Sequence, residues 1–174
     1  MREPLRSSAL KKMIIIIMGV SGSGKTTIGK LLAESLNWKF HDADEFHSQK
    51  NIEKMRLGIP LNDTDRQPWL KDLQTAIALW LKENENVVLA CSALKSDYRQ
   101  YLVLDTESIH LVYLHGSLDI LQQRLIGRKN HFMSEKLLNS QLDTLEEPDN
   151  AISIDISEPP QLIVENLKQI LGIA

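Results

Sequence analysis

"MIIIIMGVSGSGKTTIGKLLAESL", from Met13 to Leu36, decides how the rest of the chain is read. Met13–Met18 is a run of six apolar residues, and unbroken runs of this kind suit a strand buried on both faces of a parallel sheet. Gly19–Thr26, "GVSGSGKT", follows at once and satisfies G-x-x-x-x-G-K-[ST] in full. Lys25–Leu36 then places apolar residues at helical spacing. Strand, glycine-rich loop and helix in this order predict a phosphate cradle. Gly19, Gly22 and Gly24 let backbone N–H groups turn inward around phosphate oxygens. The helix start adds the positive end of its dipole. Lys25 is expected to neutralise the β- and γ-phosphates of a nucleoside triphosphate, and the Thr26 hydroxyl to ligate Mg²⁺. Ser21, Ser23 and Thr27 complete the predicted nucleotide-binding stretch.

Outward from that unit the alternation continues. Met13–Met18, Trp38–His41, Val87–Ala90, Ile109–Leu114 and Ile152–Ile156 read as strands. Helical patterns lie between them over Lys25–Leu36, Gln49–Met55, about Arg66–Lys82, Ser96–Leu102, Leu118–Gly127 and Glu135–Leu145, with a last helix after Pro159–Pro160. This predicts a three-layer α/β fold, a parallel five-stranded sheet with helices on both faces. No internal repeat or low-complexity linker divides the chain. One domain is expected over residues 13–174, after a flexible extension over 1–12, with Met13 as an alternative start. A signal peptide would need a longer apolar region than Met13–Met18, and no segment approaches the ~20 apolar residues that span a bilayer.

The chain's 174 residues suffice for one domain with a sizeable core. A net charge of −3 gives no global basic field for nucleic acid or an anionic membrane. Cys91 is the one cysteine, so no internal disulfide forms, which suits a reducing cytosol. The loop motif leaves a GTPase switch, a motor ATPase or a small-molecule kinase. A GTPase would carry Asn-Lys-x-Asp after a later strand; none occurs, and "SALK" (Ser92–Lys95) comes too early without a partner motif. A motor ATPase usually ends a hydrophobic strand in a magnesium-binding Asp, whereas Val87–Ala90 runs into Cys91 and Ser92. The kinase class is favoured, with a nucleotide-dependent switch as the alternative from another class.

The second strand runs into "HDADEFH", His41–His47. Strand C-termini line the ligand crevice in parallel α/β sheets, so Asp42 and Asp44 should lie near the phosphate loop, on one face if the strand continues. One is expected to support Mg²⁺ and the other to take a proton from an acceptor hydroxyl; Asp44 is the candidate base and Asp42 the magnesium residue. "NDTDRQPWL", Asn62–Leu70, packs carboxylates, an Arg and a Pro at the entrance of the long helix. Asp63, Thr64 and Asp65 suit caps there, and a rigid Arg66 suits a clamp for an anionic acceptor.

Together the segments "MGVSGSGKTT", "DADEFH", "NIEKMRLGIPLNDTDRQPWL", "CSALKSDYR", "VYLHG", "RLIGRKNHFM" and "LDTLEEP" resemble the gluconokinase family of P-loop carbohydrate kinases, related to shikimate kinase. The resemblance covers about residues 13–148. Asn130 stands where the family usually has Gly, and the N-terminal extension is additional. The resemblance implies ATP-dependent phosphorylation of D-gluconate to 6-phospho-D-gluconate, feeding the pentose phosphate pathway, by a cytoplasmic homodimer. Another small hydroxy acid, such as shikimate, is the alternative acceptor. For a carboxylate rich in hydroxyls, Arg66, Lys95 and Arg99 are candidate carboxylate partners, Lys95 and Arg99 being four apart on one expected helix face. Asp44 and His47 can bond hydroxyls, and Lys54 belongs to the same acceptor region, about residues 42–70. Arg124 and Arg128 share a helix face at the start of an expected mobile lid, about 124–146, which would bring them over the phosphates. His131 follows as a further acceptor candidate, and Gly127 as a candidate hinge.

Overall fold

The computed structural model describes residues 12–126 and 135–173. Its elements run β1 (Ile14–Met18), α1 (Lys25–Leu36), β2 (Lys39–Asp42), α2 (Gln49–Arg56), α3 (Asp63–Lys82), β3 (Val87–Ala90), α4 (Ser96–Leu102), β4 (Ile109–His115), α5 (Leu118–Ile126), α6 (Glu135–Thr144), β5 (Ile152–Asp155) and α7 (Pro160–Leu171). A 3-10 turn, Ala43–Phe46, links β2 to α2. The five strands are parallel, in the order β2-β3-β1-β4-β5. The chain thus winds first to one side of β1 and then to the other. In such sheets the C-terminal ends of the strands at the change of direction open into a ligand crevice.

Burial of β1 from both sides explains its isoleucine run. Ile14, Ile16 and Met18 pack against α3 and α4 through Trp69, Leu73, Ile77 and Leu102. Ile15 and Ile17 face Ile28 and Leu32 of α1, Leu121 of α5 and Leu167 of α7. A polar side chain on either face would be buried without a partner. One consequence is positional: β1 is fixed so firmly that the loop leaving it has a defined start.

Most bounds fall within a residue of the sequence expectation, and two differences bear on the site. α3 starts at Asp63, three residues before Arg66. Its cap is Asn62 rather than Asp63, Thr64 or Asp65: Asn62 accepts from the Asp65 amide at 2.8 Å, and Asp65 accepts from the Asn62 amide at 3.1 Å. This reciprocal box secures the first turn although Pro68 removes one backbone donor further on. β2 ends at Asp42, so strand alternation does not set the facing of Asp44. The 3-10 turn does so instead, with Asp42 as its cap, Oδ1 accepting from the Asp44 amide at 3.0 Å. The expected extension over 1–12 lies, apart from Lys12, outside the described residues, as do Gly127, Arg128, Asn130 and His131.

Candidate active site

Gly19–Thr26 crosses from β1 to α1 at the crevice. Gly22 and Gly24 have φ of 84° and 95°, the left-handed region that side-chain-bearing residues avoid. A Cβ on Gly22 would also stand 2.9 Å from the Leu121 carbonyl oxygen. Lys25 donates from Nζ to the Val20 carbonyl at 3.1 Å. The Ser21 and Ser23 hydroxyls are buried and have no hydrogen-bond partner among the described residues. A buried hydroxyl left unsatisfied is costly, and an anionic oxygen held by the loop would satisfy it. Thr27 is exposed and is not among the side chains that line the cleft.

Thr26 donates its hydroxyl to Asp42 Oδ2 at 3.0 Å. Two hard oxygens, one of them anionic, therefore meet at the mouth of the loop. Mg²⁺ takes few protein ligands and completes its shell with water and phosphate oxygens, so Thr26 and Asp42 fit that ion. Arg124, on α5, donates to the Ile156 carbonyl at 2.6 Å. A Cβ on Gly24 would stand 3.3 Å from its Nη1. Arg124 therefore lies against the phosphate loop, tied to the connection after β5.

A cleft joins this loop to the acceptor side. Gly22, Gly24, Lys25 and Thr26 line one wall, and Asp44, His47, Arg66 and Trp69 line the other. Burial pushes the Asp44 carboxyl up from its ordinary 3.8 to about 6; the nearby Asp42 charge adds to the rise and Lys25 opposes it. Asp44 thus titrates close to neutrality, as a proton acceptor should. His47 stacks on Trp69 with ring centroids 4.4 Å apart. Burial, helped by the Arg66 charge, lowers its pKa to about 4, so the ring is neutral. Asn51 fixes its tautomer. The Asn51 Nδ2 donates to the Asp65 carbonyl at 2.8 Å and lies 3.3 Å from His47 Nδ1. A carbonyl only accepts, so the amide nitrogen is correctly placed at that end, and Nδ1 must accept its second hydrogen. The imidazole proton is left on Nε2.

Four cations nominated by the sequence are sorted by their partners. Lys54 donates to both oxygens of Asp65 at 3.0 Å. Lys95 donates to Asp63 at 3.1 and 3.3 Å, and it caps α4 instead of sharing a helix face with Arg99. Arg99 is buried and donates to the carbonyls of Ala93, Leu94 and Glu146 at 2.8, 3.2 and 2.9 Å. It pins the β3–α4 connection to the approach to β5, and its fork is spent on backbone. None of these three lines the cleft. Arg66 does line it, and no carboxylate pairs with it among the described residues. Its Nη1 donates to the Tyr98 hydroxyl at 3.1 Å, and Tyr98 in turn donates to Asp63. A neutral phenol therefore stands between cation and carboxylate. It orients the guanidinium without neutralising it.

Tyr98 carries no sequence signal for its role, because both its partners are distant in the chain, and Asn51 is set by the distant Asp65 carbonyl although His47 is only four residues away. The Asn62–Asp65 cap was readable from its i, i+3 spacing. α6 also enters the site. Leu137, Ser140 and Gln141 line the cleft, a contribution that the helical pattern alone does not show.

Compared with known proteins, the chain matches the family described as Shikimate kinase over residues 21–169. It is 48% identical to a probable gluconokinase of Dictyostelium discoideum, an alignment covering 95% of this chain and 89% of that protein. It is 38% identical to the thermoresistant gluconokinase of Escherichia coli strain K12, over 91% of this chain and 93% of that one. The crystal structure of a gluconokinase from Sinorhizobium meliloti 1021 superposes with a TM-score of 0.78 at 39% identity, over 93% of this chain and 97% of that chain.

Proposed function

The chain belongs to the gluconokinase family of P-loop kinases, and from that premise we propose that it transfers the γ-phosphoryl group of ATP to D-gluconate, giving ADP and 6-phospho-D-gluconate. The observation that carries this reading is a single cleft with the phosphate loop on one wall and a base, a neutral His and a carboxylate-free Arg on the other. A polyhydroxy carboxylate matches the second wall. Arg66 grips the carboxylate, and His47 Nε2 donates to a hydroxyl. Ionised Asp44 takes the proton of the attacking hydroxyl. As the new O–P bond forms, the bond from the γ-phosphorus to the β-bridging oxygen breaks and ADP leaves. Lys25 and the loop amides hold the charge on the phosphates, and Arg124 adds a cation beside them. Thr26 and Asp42 would hold Mg²⁺, which supplies charge neutralisation on the phosphates. Roles for Arg128 and His131 over the same phosphates and acceptor belong to this proposal through the resemblance alone.

No described helix is long and apolar enough to cross a membrane. We place the enzyme in the cytoplasm as a homodimer, in keeping with its reduced, buried Cys91 and its family resemblance. Coupled ADP release measured over a panel of sugar acids tests the central reading. Magnesium-dependent release should appear with D-gluconate at roughly 1–100 s⁻¹, the usual kinase range. Release that is the same with and without every sugar acid would refute the kinase and favour a nucleotide switch. Release confined to shikimate or another hydroxy acid would move the acceptor.

A further inference from the structure

α6 lines the cleft and touches both walls. On the acceptor side, buried Leu137 packs with Met55 of α2 and Leu61 of the α2–α3 connection, with Ile52 alongside. On the donor side, Gln141 accepts at Oε1 from the Ser21 amide at 2.6 Å. Leu137 and Gln141 are i and i+4, so one face of the helix carries both contacts, and Ser140 lines the cleft beside them. The chemistry of the donor-side contact is selective. Ser21 sits in a loop whose amides are there to receive phosphate oxygens. A neutral amide oxygen satisfies one such donor without setting a negative charge beside the phosphates. A carboxylate in its place would repel them.

We propose that Gln141 is a positioning residue that couples acceptor binding to the setting of the phosphate loop, with Leu137 as the acceptor-side end of the same lever. The proposal rests on reading the cleft as the site of transfer between ATP and gluconate. An acceptor bound between Arg66 and Asp44 stabilises the wall on which Leu137 sits. That wall holds α6, and α6 holds Ser21. Two ligands that favour one arrangement of a shared element must strengthen each other, and by the same factor in either order.

Equilibrium binding of a non-hydrolysable ATP analogue to the full chain, with and without saturating D-gluconate, tests this. Gluconate should tighten the analogue by at least about 5-fold in the wild type, the lower end of ordinary coupling between sites. Gln141→Met keeps the length of the side chain and deletes the acceptor oxygen. It should reduce the coupling to about 1- to 2-fold, whatever it does to the binding of the analogue alone. Leu137→Ala should lose the coupling from the other end. A merely structural role for Gln141 would lower thermal stability and leave the coupling factor intact. Wild-type coupling in Gln141→Met, or none in an active wild type, overturns the inference and leaves the kinase reading standing. A wild type that forms no 6-phosphogluconate overturns the kinase reading itself.

Discussion

The two walls of the cleft are built on different terms. The donor wall is one continuous segment, Gly19–Thr26, and in the proposed complex its backbone would do most of the binding. The acceptor wall is assembled from the 3-10 turn, α2, the α2–α3 connection and α3, with α6 bridging to the loop, and it presents side chains. A backbone site needs only a conformation, and three glycines with a strand and a helix around them specify it. A side-chain site needs charges left over after every other charge has been matched. Lys54, Arg66, Lys95 and Arg99 are equivalent as letters. Asp65, Asp63 and three carbonyls remove all but Arg66 from the competition. Substitutions on the donor wall should therefore act on turnover, and those on the acceptor wall on recognition.

Asp44 is where the two walls meet, and it carries the largest expected effect. Asp44→Asn should lower kcat by roughly 10²–10⁴-fold, the range for losing a general base, in steady-state assays at saturating substrates. Wild-type kcat/KM should fall as pH drops through about 6, because Asp44 accepts a proton only when ionised, and the Asn variant should lose that limb. Stability should move the other way. The ordinary carboxyl ionises near 3.8 in the unfolded chain but near 6 in the fold, so the cost of the buried charge is absent below the first value and complete above the second. Removing it should stabilise the protein at pH 8 by up to about 3 kcal/mol, seen as a higher urea midpoint. Equal urea midpoints for the two proteins at pH 8 would deny the buried charge.

Lys25→Ala comes next. It should cut kcat by roughly 10²–10³-fold through lost charge stabilisation in transfer, while KM for gluconate changes little. An equal rise in the gluconate KM would join the two walls more tightly than their construction implies. On the acceptor wall, Tyr98→Phe deletes the phenol between Arg66 and Asp63. Gluconate KM should rise about 2- to 12-fold, the worth of one ordinary hydrogen bond, with KM for ATP unchanged. The smallest kinetic effect belongs to Arg99→Ala. Its three backbone carbonyls lose their donor, so unfolding should cost roughly 1–3 kcal/mol less. Gluconate KM should stay near the wild-type value. An Arg99 variant that folds normally and binds gluconate poorly would upset the sorting of the cations.

The sheet, its flanking helices and the phosphate loop were legible in the sequence because each depends on local pattern. A both-faces-buried strand must be apolar throughout, as Ile14–Ile17 is. α3 starts at Asp63 rather than about Arg66, and the signal for that start is the Asn62–Asp65 spacing. Asp42 and Asp44 were rightly expected at the crevice for an incomplete reason: a 3-10 turn, not a strand, brings the second one in. What stayed hidden was long-range pairing. Nothing local says that Tyr98 will stand between Arg66 and Asp63, that Arg99 will turn to backbone, or that Gln141 will reach Ser21 across 120 residues of chain.

That Arg66 reads the substrate carboxylate is best tested by changing the substrate and the residue together. Initial rates would be measured for the wild type and Arg66→Ala with D-gluconate and with its neutral amide, D-gluconamide. A charge-assisted contact of roughly 1.5–3 kcal/mol corresponds to about 10- to 150-fold. The wild type should therefore prefer gluconate by that factor in kcat/KM, and Arg66→Ala should show nearly no preference, with KM for ATP unaltered. A preference for the carboxylate that survives in Arg66→Ala would contradict the assignment and send the search to another cation.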